Sequence, residues 1–214
     1  MVGLLYWLVS VLAAVLAGEP SLFWAFALAK VLLVPVLFYA WGRSLPKAFW
    51  WGMLFAWIGD VSMLWAEREA SFMIGMGSFA LMWVCYGVGW LRVPAEVRGM
   101  RYGLLVGAVV GLGLGIGVYL WPVLRVPFSF LVPGYAIFLV GAGVVALRLR
   151  EALLWLGILS FWVSDALIAY TKFVQPLSYG EHWIIGLYAL GHGLIGARTG
   201  RVFLRSGTGR LNQR

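Results

Sequence analysis

Charged residues are scarce in this chain. They make up 11% of its 214 residues, and only 8 of them are acidic, whereas soluble domains carry about 25% charged residues. Apolar residues account for 63%. This composition excludes a soluble globular domain and a disordered chain. It predicts a multi-pass membrane protein, in which each charge within the bilayer is costly and therefore informative.

Cysteine and histidine are also rare. Cys85 is the single cysteine, which excludes a disulfide scaffold. The two histidines, His182 and His192, are not spaced as His-x-x-x-His, and no Cys-x-x-Cys pair exists. Metal sites require several such ligands at suitable spacing. The sequence therefore predicts neither a bound metal nor another cofactor.

Acidic residues are outnumbered by basic ones, and the net charge is +8. The basic residues lie in short loops and at the C-terminal end, which argues against a nucleic-acid partner and for anionic lipid headgroups at the basic tail. Twelve basic residues fall on one predicted side of the membrane and three on the other. This asymmetry predicts that both termini are cytoplasmic, and we expect a bacterial inner membrane protein.

Long apolar runs predict the fold. Eight segments approach or reach the length that crosses about 30 Å of hydrocarbon, and the first is expected to be a span rather than a cleaved signal peptide. The prediction is an all-α, polytopic transmembrane helical bundle, with a single transmembrane domain over residues 1–198 and a basic cytoplasmic tail over 199–214. The oligomeric state is not indicated. The predicted spans are 3–17, 21–41, 49–66, 71–91, 102–121, 127–147, 152–171 and 182–198.

A short pattern occurs twice. Gly52, Trp57 and Asp60 in the third span recur, with the same spacing and an offset of 105 residues, as Gly157, Trp162 and Asp165 in the seventh. Coincidence in a sequence rich in tryptophan and glycine is the alternative. We favour a 4+4 parallel internal repeat, as found in transporter folds.

Glycine recurs at every fourth position of the fifth span, at residues 103, 107, 111 and 115. Such a face of small residues predicts close packing against another helix.

Asp60 and Asp165 are the only aspartates, and both fall within predicted spans. A carboxylate at that depth costs several kcal/mol unless it is paired or hydrated. Two carboxyl groups sharing one cavity could act as a catalytic acid and base. A structural role, in which each aspartate caps a broken helix or pairs with Lys30, is the alternative.

Two further polar residues lie within predicted spans. Lys30, in the second span, could bind a lipid phosphate, hold one aspartate ionised, or form a structural ion pair. His192 lies one turn after Tyr188 in the eighth span. It could be an interhelical contact, a proton relay or a contact to the lipid headgroup.

Several of these residues stand in motifs that resemble the YhhN family, over roughly residues 25–198. The matching stretches are Ala29-Lys30 through Pro35, Ile58-Gly59-Asp60-Val61, the series Phe72, Gly75, Phe79, Trp83 and Tyr86, then Gly157 to Phe161, Val163-Ser164-Asp165-Ala166-Leu167, and Tyr188 with His192. There are departures. The family has Lys-Pro where this chain has Lys30-Val31, histidine at Trp83, and Tyr-Tyr-x-x-Gln where this chain has Tyr188-Ala189 and ends at His192.

The resemblance implies an eight-span hydrolase that cleaves the vinyl ether bond of lysoplasmalogens, which are lipid substrates within the bilayer. It implies catalytic roles for Asp60 and Asp165 and places Lys30, Tyr86 and Tyr188 at family motif positions. With His192, these three are the expected substrate-binding residues. Vinyl ether cleavage through an oxocarbenium ion suits a carboxyl pair, by analogy with glycoside hydrolysis. The alternatives are a proton-coupled transporter or lipid flippase that uses the same aspartates, and a structural or lipid-binding protein.

Overall fold

Eight α-helices and their connections account for residues 2–206, the part of the chain that the computed structural model describes, and no strand occurs there. The helices are α1 (Val2–Leu16), α2 (Phe23–Trp41), α3 (Lys47–Met63), α4 (Glu69–Leu91), α5 (Gly99–Leu120), α6 (Phe128–Ala146), α7 (Ala152–Phe173) and α8 (Gly180–Arg205). They match the eight predicted spans in order.

The helices form a transmembrane bundle, as predicted. By length and apolar composition, α2, α4, α5, α6 and α7 are long enough to cross a membrane. Helices α1 and α3 are shorter, with 15 and 17 residues. Helix α8 has 26 residues, is less apolar than the others, and buries one face along most of its length. The surface of the bundle is rich in exposed leucine, valine and tryptophan side chains, as expected for a lipid-facing surface.

Helix α8 continues to Arg205, so residues 199–205 of the predicted tail extend the last helix. Glu151, immediately before α7, pairs with Arg198 at 3.8 Å and with Arg205 at 3.4 Å. These ion pairs hold the end of α8 against the start of α7. Residues 207–214 of the predicted tail lie outside the described residues.

The most extensive helix contacts are those of α3 with α4 and of α7 with α8, the two pairs that a 4+4 repeat makes equivalent. Helices α7 and α8 cross at Gly157 and Gly191. A Cβ at Gly191 would lie 2.8 Å from the backbone oxygen of Gly157. Only glycine permits so close an approach of two helix backbones. The two halves of the bundle are not fully equivalent, because α1 packs more extensively on α2 than α5 does on α6.

The prediction about the glycine face of α5 was wrong. A Cβ at Gly103, Gly107, Gly111 or Gly115 would meet nothing within 4 Å among the described residues. Most of α5 is exposed, and Leu120 is its one buried residue. The spacing places these glycines on one face, but it does not determine which face of a peripheral helix meets its neighbour.

Candidate active site

A cavity of about 690 Å³ lies among α1, α2, α3, α4, α7 and α8. Its walls are mostly apolar, with Phe23 and Phe26 on one side and Ile168 and Ile184 on others. Residues from the connections after α1, α3 and α7 also line it. The cavity therefore opens at the end of the bundle where these three connections lie.

Asp60 lies in α3 and is 1% exposed. Tyr188, on α8, donates a hydrogen bond of 2.6 Å from its hydroxyl to Oδ2 of Asp60. Both residues line the cavity. The tyrosine ring packs edge-on against His192, with ring centroids 4.7 Å apart, and at a tilt against Phe161, with centroids 5.1 Å apart. Helix α8 thus positions a carboxyl group that α3 carries.

Asp165, on α7, lines the same cavity. Tyr135, on α6, donates a hydrogen bond of 2.5 Å to its Oδ2. The Tyr135 hydroxyl in turn accepts a hydrogen bond of 3.3 Å from Nε1 of Trp83, on α4. Each aspartate therefore accepts a hydrogen bond from a tyrosine hydroxyl of another helix, and both aspartates line one cavity.

Lys30, on α2, is 8% exposed and lines the cavity. Within residues 2–206 it forms neither a hydrogen bond nor an ion pair within 4.0 Å, although its ammonium group lies 5.8 Å from the ring centre of Phe26. Asp60 lines the same cavity. The ammonium group is thus available to an anionic ligand.

Tyr86 and His192 do not line the cavity. Both are almost fully buried, at 1% and 2% exposed. Tyr86 stacks on Phe49 with ring centroids 4.8 Å apart, and Nε2 of His192 lies 3.3 Å from the sulfur of Met82. The structure therefore brings together four of the six predicted site residues and places these two in the packing behind Tyr188 and Phe161.

Sequence reasoning missed Tyr135, although the sequence contained a signal for it. The 105-residue offset that relates Asp60 to Asp165 also relates Lys30 to Tyr135 and Trp83 to Tyr188. Lys30 and Tyr188 line the cavity, Tyr135 contacts Asp165, which also lines it, and Trp83 contacts Tyr135. Across residues 2–206, no group of three or more histidine, cysteine, aspartate or glutamate side chains is arranged to hold a metal ion.

Nearly all of the bundle matches a known family. The YhhN family matches residues 4–199. The curated relatives include two proteins named lysoplasmalogenase TMEM86A. The Bos taurus protein is 31% identical over 150 residues, which cover 64% of this chain and 58% of the relative. The Homo sapiens protein is 28% identical over 155 residues, which cover 67% of this chain and 61% of the relative. The alignments thus span about three fifths of these relatives, and no solved structure matches.

Proposed function

This chain belongs to the YhhN family, and on that premise we propose that it is a membrane-embedded hydrolase that cleaves the vinyl ether bond of lysoplasmalogen-type lipids. The products are a fatty aldehyde and a glycerophospho-headgroup. One observation carries the proposal: Asp60 and Asp165, on different helices, line one cavity. The names of the relatives agree with this activity.

The reaction needs a proton donor and a proton acceptor at one place. A carboxylic acid protonates the alkene carbon that is not bonded to oxygen, and the adjacent carbon becomes an oxocarbenium ion. The second carboxylate stabilises this cation and takes a proton from the attacking water, which yields a hemiacetal. Glycosidases solve the same problem with two carboxyl groups. The cavity supplies two carboxyl groups, each fixed by a tyrosine.

Lys30 suits the phosphate of the lipid headgroup. Its ammonium group is buried, lines the cavity and has no ion-pair partner within 4.0 Å among the described residues. An unpaired buried cation is costly, and an anionic ligand would offset that cost. The apolar walls of the cavity suit hydrocarbon. We therefore propose that Lys30 binds the phosphate while the vinyl ether lies between the aspartates.

The direct test is aldehyde release by detergent-purified protein. Asp60→Asn and Asp165→Asn should each lower kcat about 10²–10⁴-fold, the usual contribution of general acid–base catalysis. Glu96→Gln removes an exposed carboxyl group in the α4–α5 connection and should leave kcat unchanged. Full activity in either asparagine variant would refute the two-aspartate mechanism.

The choice of substrate and solvent tests the chemistry itself. A lipid with a saturated ether has no alkene to protonate, so it should bind without being cleaved. In D₂O, the aldehyde should carry one deuterium on the carbon next to the carbonyl when it is trapped at once by reduction. A pH-driven lipid flux in liposomes without aldehyde release would instead support the transporter alternative.

We also propose that both termini are cytoplasmic, in a bacterial inner membrane. The cavity then opens on the opposite side, because the connections after α1, α3 and α7 carry few basic residues. At the cytoplasmic end, Arg201 lies beside Trp41 in a smaller cavity of about 260 Å³. Here we expect anionic lipid headgroups to bind.

A further inference from the structure

Trp83, Tyr135 and Asp165 form a hydrogen-bond chain that ends at one of the two reacting carboxyl groups. We infer that Trp83 and Tyr135 are positioning residues that orient Asp165, that Asp165 is the proton donor of the reaction, and that Asp60 is the proton acceptor. This inference rests on the function proposed above. It adds Tyr135, which does not line the cavity and so acts through Asp165.

These two hydrogen bonds can run in only one direction, from Trp83 to Tyr135 to Asp165. An indole N–H donates and cannot accept, so the oxygen of Tyr135 must be the acceptor in its bond to Trp83. The hydrogen of the Tyr135 hydroxyl is then free to donate to Oδ2 of Asp165, over 2.5 Å. Histidine, the residue that the family resemblance places at this position, can both donate and accept. Tryptophan therefore fixes a direction that histidine leaves open.

The indole ring cannot easily turn away. Trp83 is fully buried, and its ring packs edge-on against Phe161 at 5.0 Å and Tyr86 at 6.1 Å between centroids. Tyr135 extends from α6 towards α7, the helix that carries Asp165. Because Oδ2 already accepts a bond from Tyr135, Oδ1 is the oxygen of Asp165 left to carry the proton that is transferred.

The two aspartates differ in the charge around them. Asp60 shares the cavity with Lys30, whose ammonium group compensates a carboxylate there. Within residues 2–206, Asp165 receives a hydrogen bond from the neutral Tyr135 and has no cationic partner. A charge buried without a counter-ion is costly. The surroundings of Asp165 therefore suit a carboxylic acid, and those of Asp60 suit a carboxylate.

These roles close a catalytic cycle. Asp165 transfers its proton to the alkene carbon and becomes a carboxylate, while the oxocarbenium ion forms. Water adds to the cationic carbon and gives one proton to Asp60, so that a hemiacetal results. The carbon–oxygen bond to glycerol then breaks: Asp60 returns its proton to the glycerol oxygen, and Asp165 takes the hemiacetal hydroxyl proton as the aldehyde forms. One water is consumed, and both side chains return to their starting states.

The kinetic test compares matched variants. Tyr135→Phe should lower kcat at least about tenfold, equivalent to about 1.4 kcal/mol, with KM little changed, because the substrate does not touch Tyr135. Trp83→Phe should lower kcat less. The double variant should have the same kcat as Tyr135→Phe, because both residues act through the same series of hydrogen bonds. Tyr102→Phe, which loses a bond to the backbone oxygen of Val144, is the control. Equal kcat in Tyr135→Phe and Tyr102→Phe would overturn the inference.

Infrared spectroscopy provides a test that does not depend on turnover. The purified wild type should show the C=O stretch of a protonated aspartic acid, which Asp165→Asn abolishes, Asp60→Asn retains and Tyr135→Phe shifts. A band that survives Asp165→Asn or disappears in Asp60→Asn would overturn the assignment of roles. If the band behaves as expected but the wild type releases no aldehyde, the proposed function fails and the hydrogen-bond chain stands.

Discussion

Lys30 and Asp60 face one cavity without forming an ion pair, so their energetic coupling measures whether the two charges act on each other across it. We consider Lys30→Met and Asp60→Asn, which remove the charges with little change in side-chain size. Each single substitution should destabilise the protein, because it leaves the other buried charge with less compensation. The double variant should recover part of that loss.

The structure sets limits on the size of the coupling. The ammonium group of Lys30 and the carboxylate of Asp60 lie further apart than 4.0 Å, so they form no direct ion pair. Two unit charges 4 Å apart interact by about 4 kcal/mol at an effective dielectric constant of about 20. The coupling should therefore be smaller than this, about 1–3 kcal/mol.

The assay is the free energy of unfolding in mixed micelles for the four proteins of this double-mutant cycle. A second cycle, with Asp165→Asn in place of Asp60→Asn, is the control. It should give a coupling below about 0.5 kcal/mol, the range in which independent sites add, because Lys30 is not an electrostatic partner of Asp165. Equal couplings in the two cycles, or none with Asp60, would refute the reasoning.

Three further predictions concern helix packing, the Tyr188 hydrogen bond and the membrane topology. Gly191→Ala should lower the free energy of unfolding by about 1–3 kcal/mol, because its Cβ would lie 2.8 Å from a backbone oxygen of α7. Gly107 has open space around it, so Gly107→Ala is the control. Thermal melts should show that this control is neutral or stabilising. Tyr188→Phe removes a hydrogen bond of 2.6 Å to a carboxylate and should cost about 1.5–3 kcal/mol of stability; an unchanged melting temperature would contradict that bond. In a cysteine-free background, Glu67→Cys should react with a membrane-impermeant maleimide on intact cells and Glu96→Cys should not; the reverse result would invert the proposed topology.

The sequence was sufficient to predict the helices. Eight apolar runs gave eight helices, because a chain within a bilayer must satisfy its backbone hydrogen bonds inside each segment. The polar residues were equally informative: a charge within a span is too costly to be incidental, and Lys30, Asp60 and Asp165 all line the cavity.

Contacts between helices were harder to predict. The hydrogen bond from Tyr135 to Asp165 joins residues 30 positions apart on different helices, and its formation depends on how α6 is rotated against α7. The same uncertainty explains the wrong prediction for α5, where spacing defined a glycine face but not its partner. The placement of Tyr86 and His192 behind the cavity likewise depends on packing that periodicity does not encode.

The 105-residue offset has a consequence for how such a site can arise. Two identical halves assembled as a homodimer would give both aspartates the same neighbours, and neither carboxyl group could be distinguished from the other. When the two halves are joined in one chain, equivalent positions can diverge separately. The first half carries Lys30 where the second carries Tyr135, and Trp83 where the second carries Tyr188. A duplication followed by fusion would turn two equal carboxyl groups into an unequal pair, and the acid–base chemistry proposed for this site depends on that inequality.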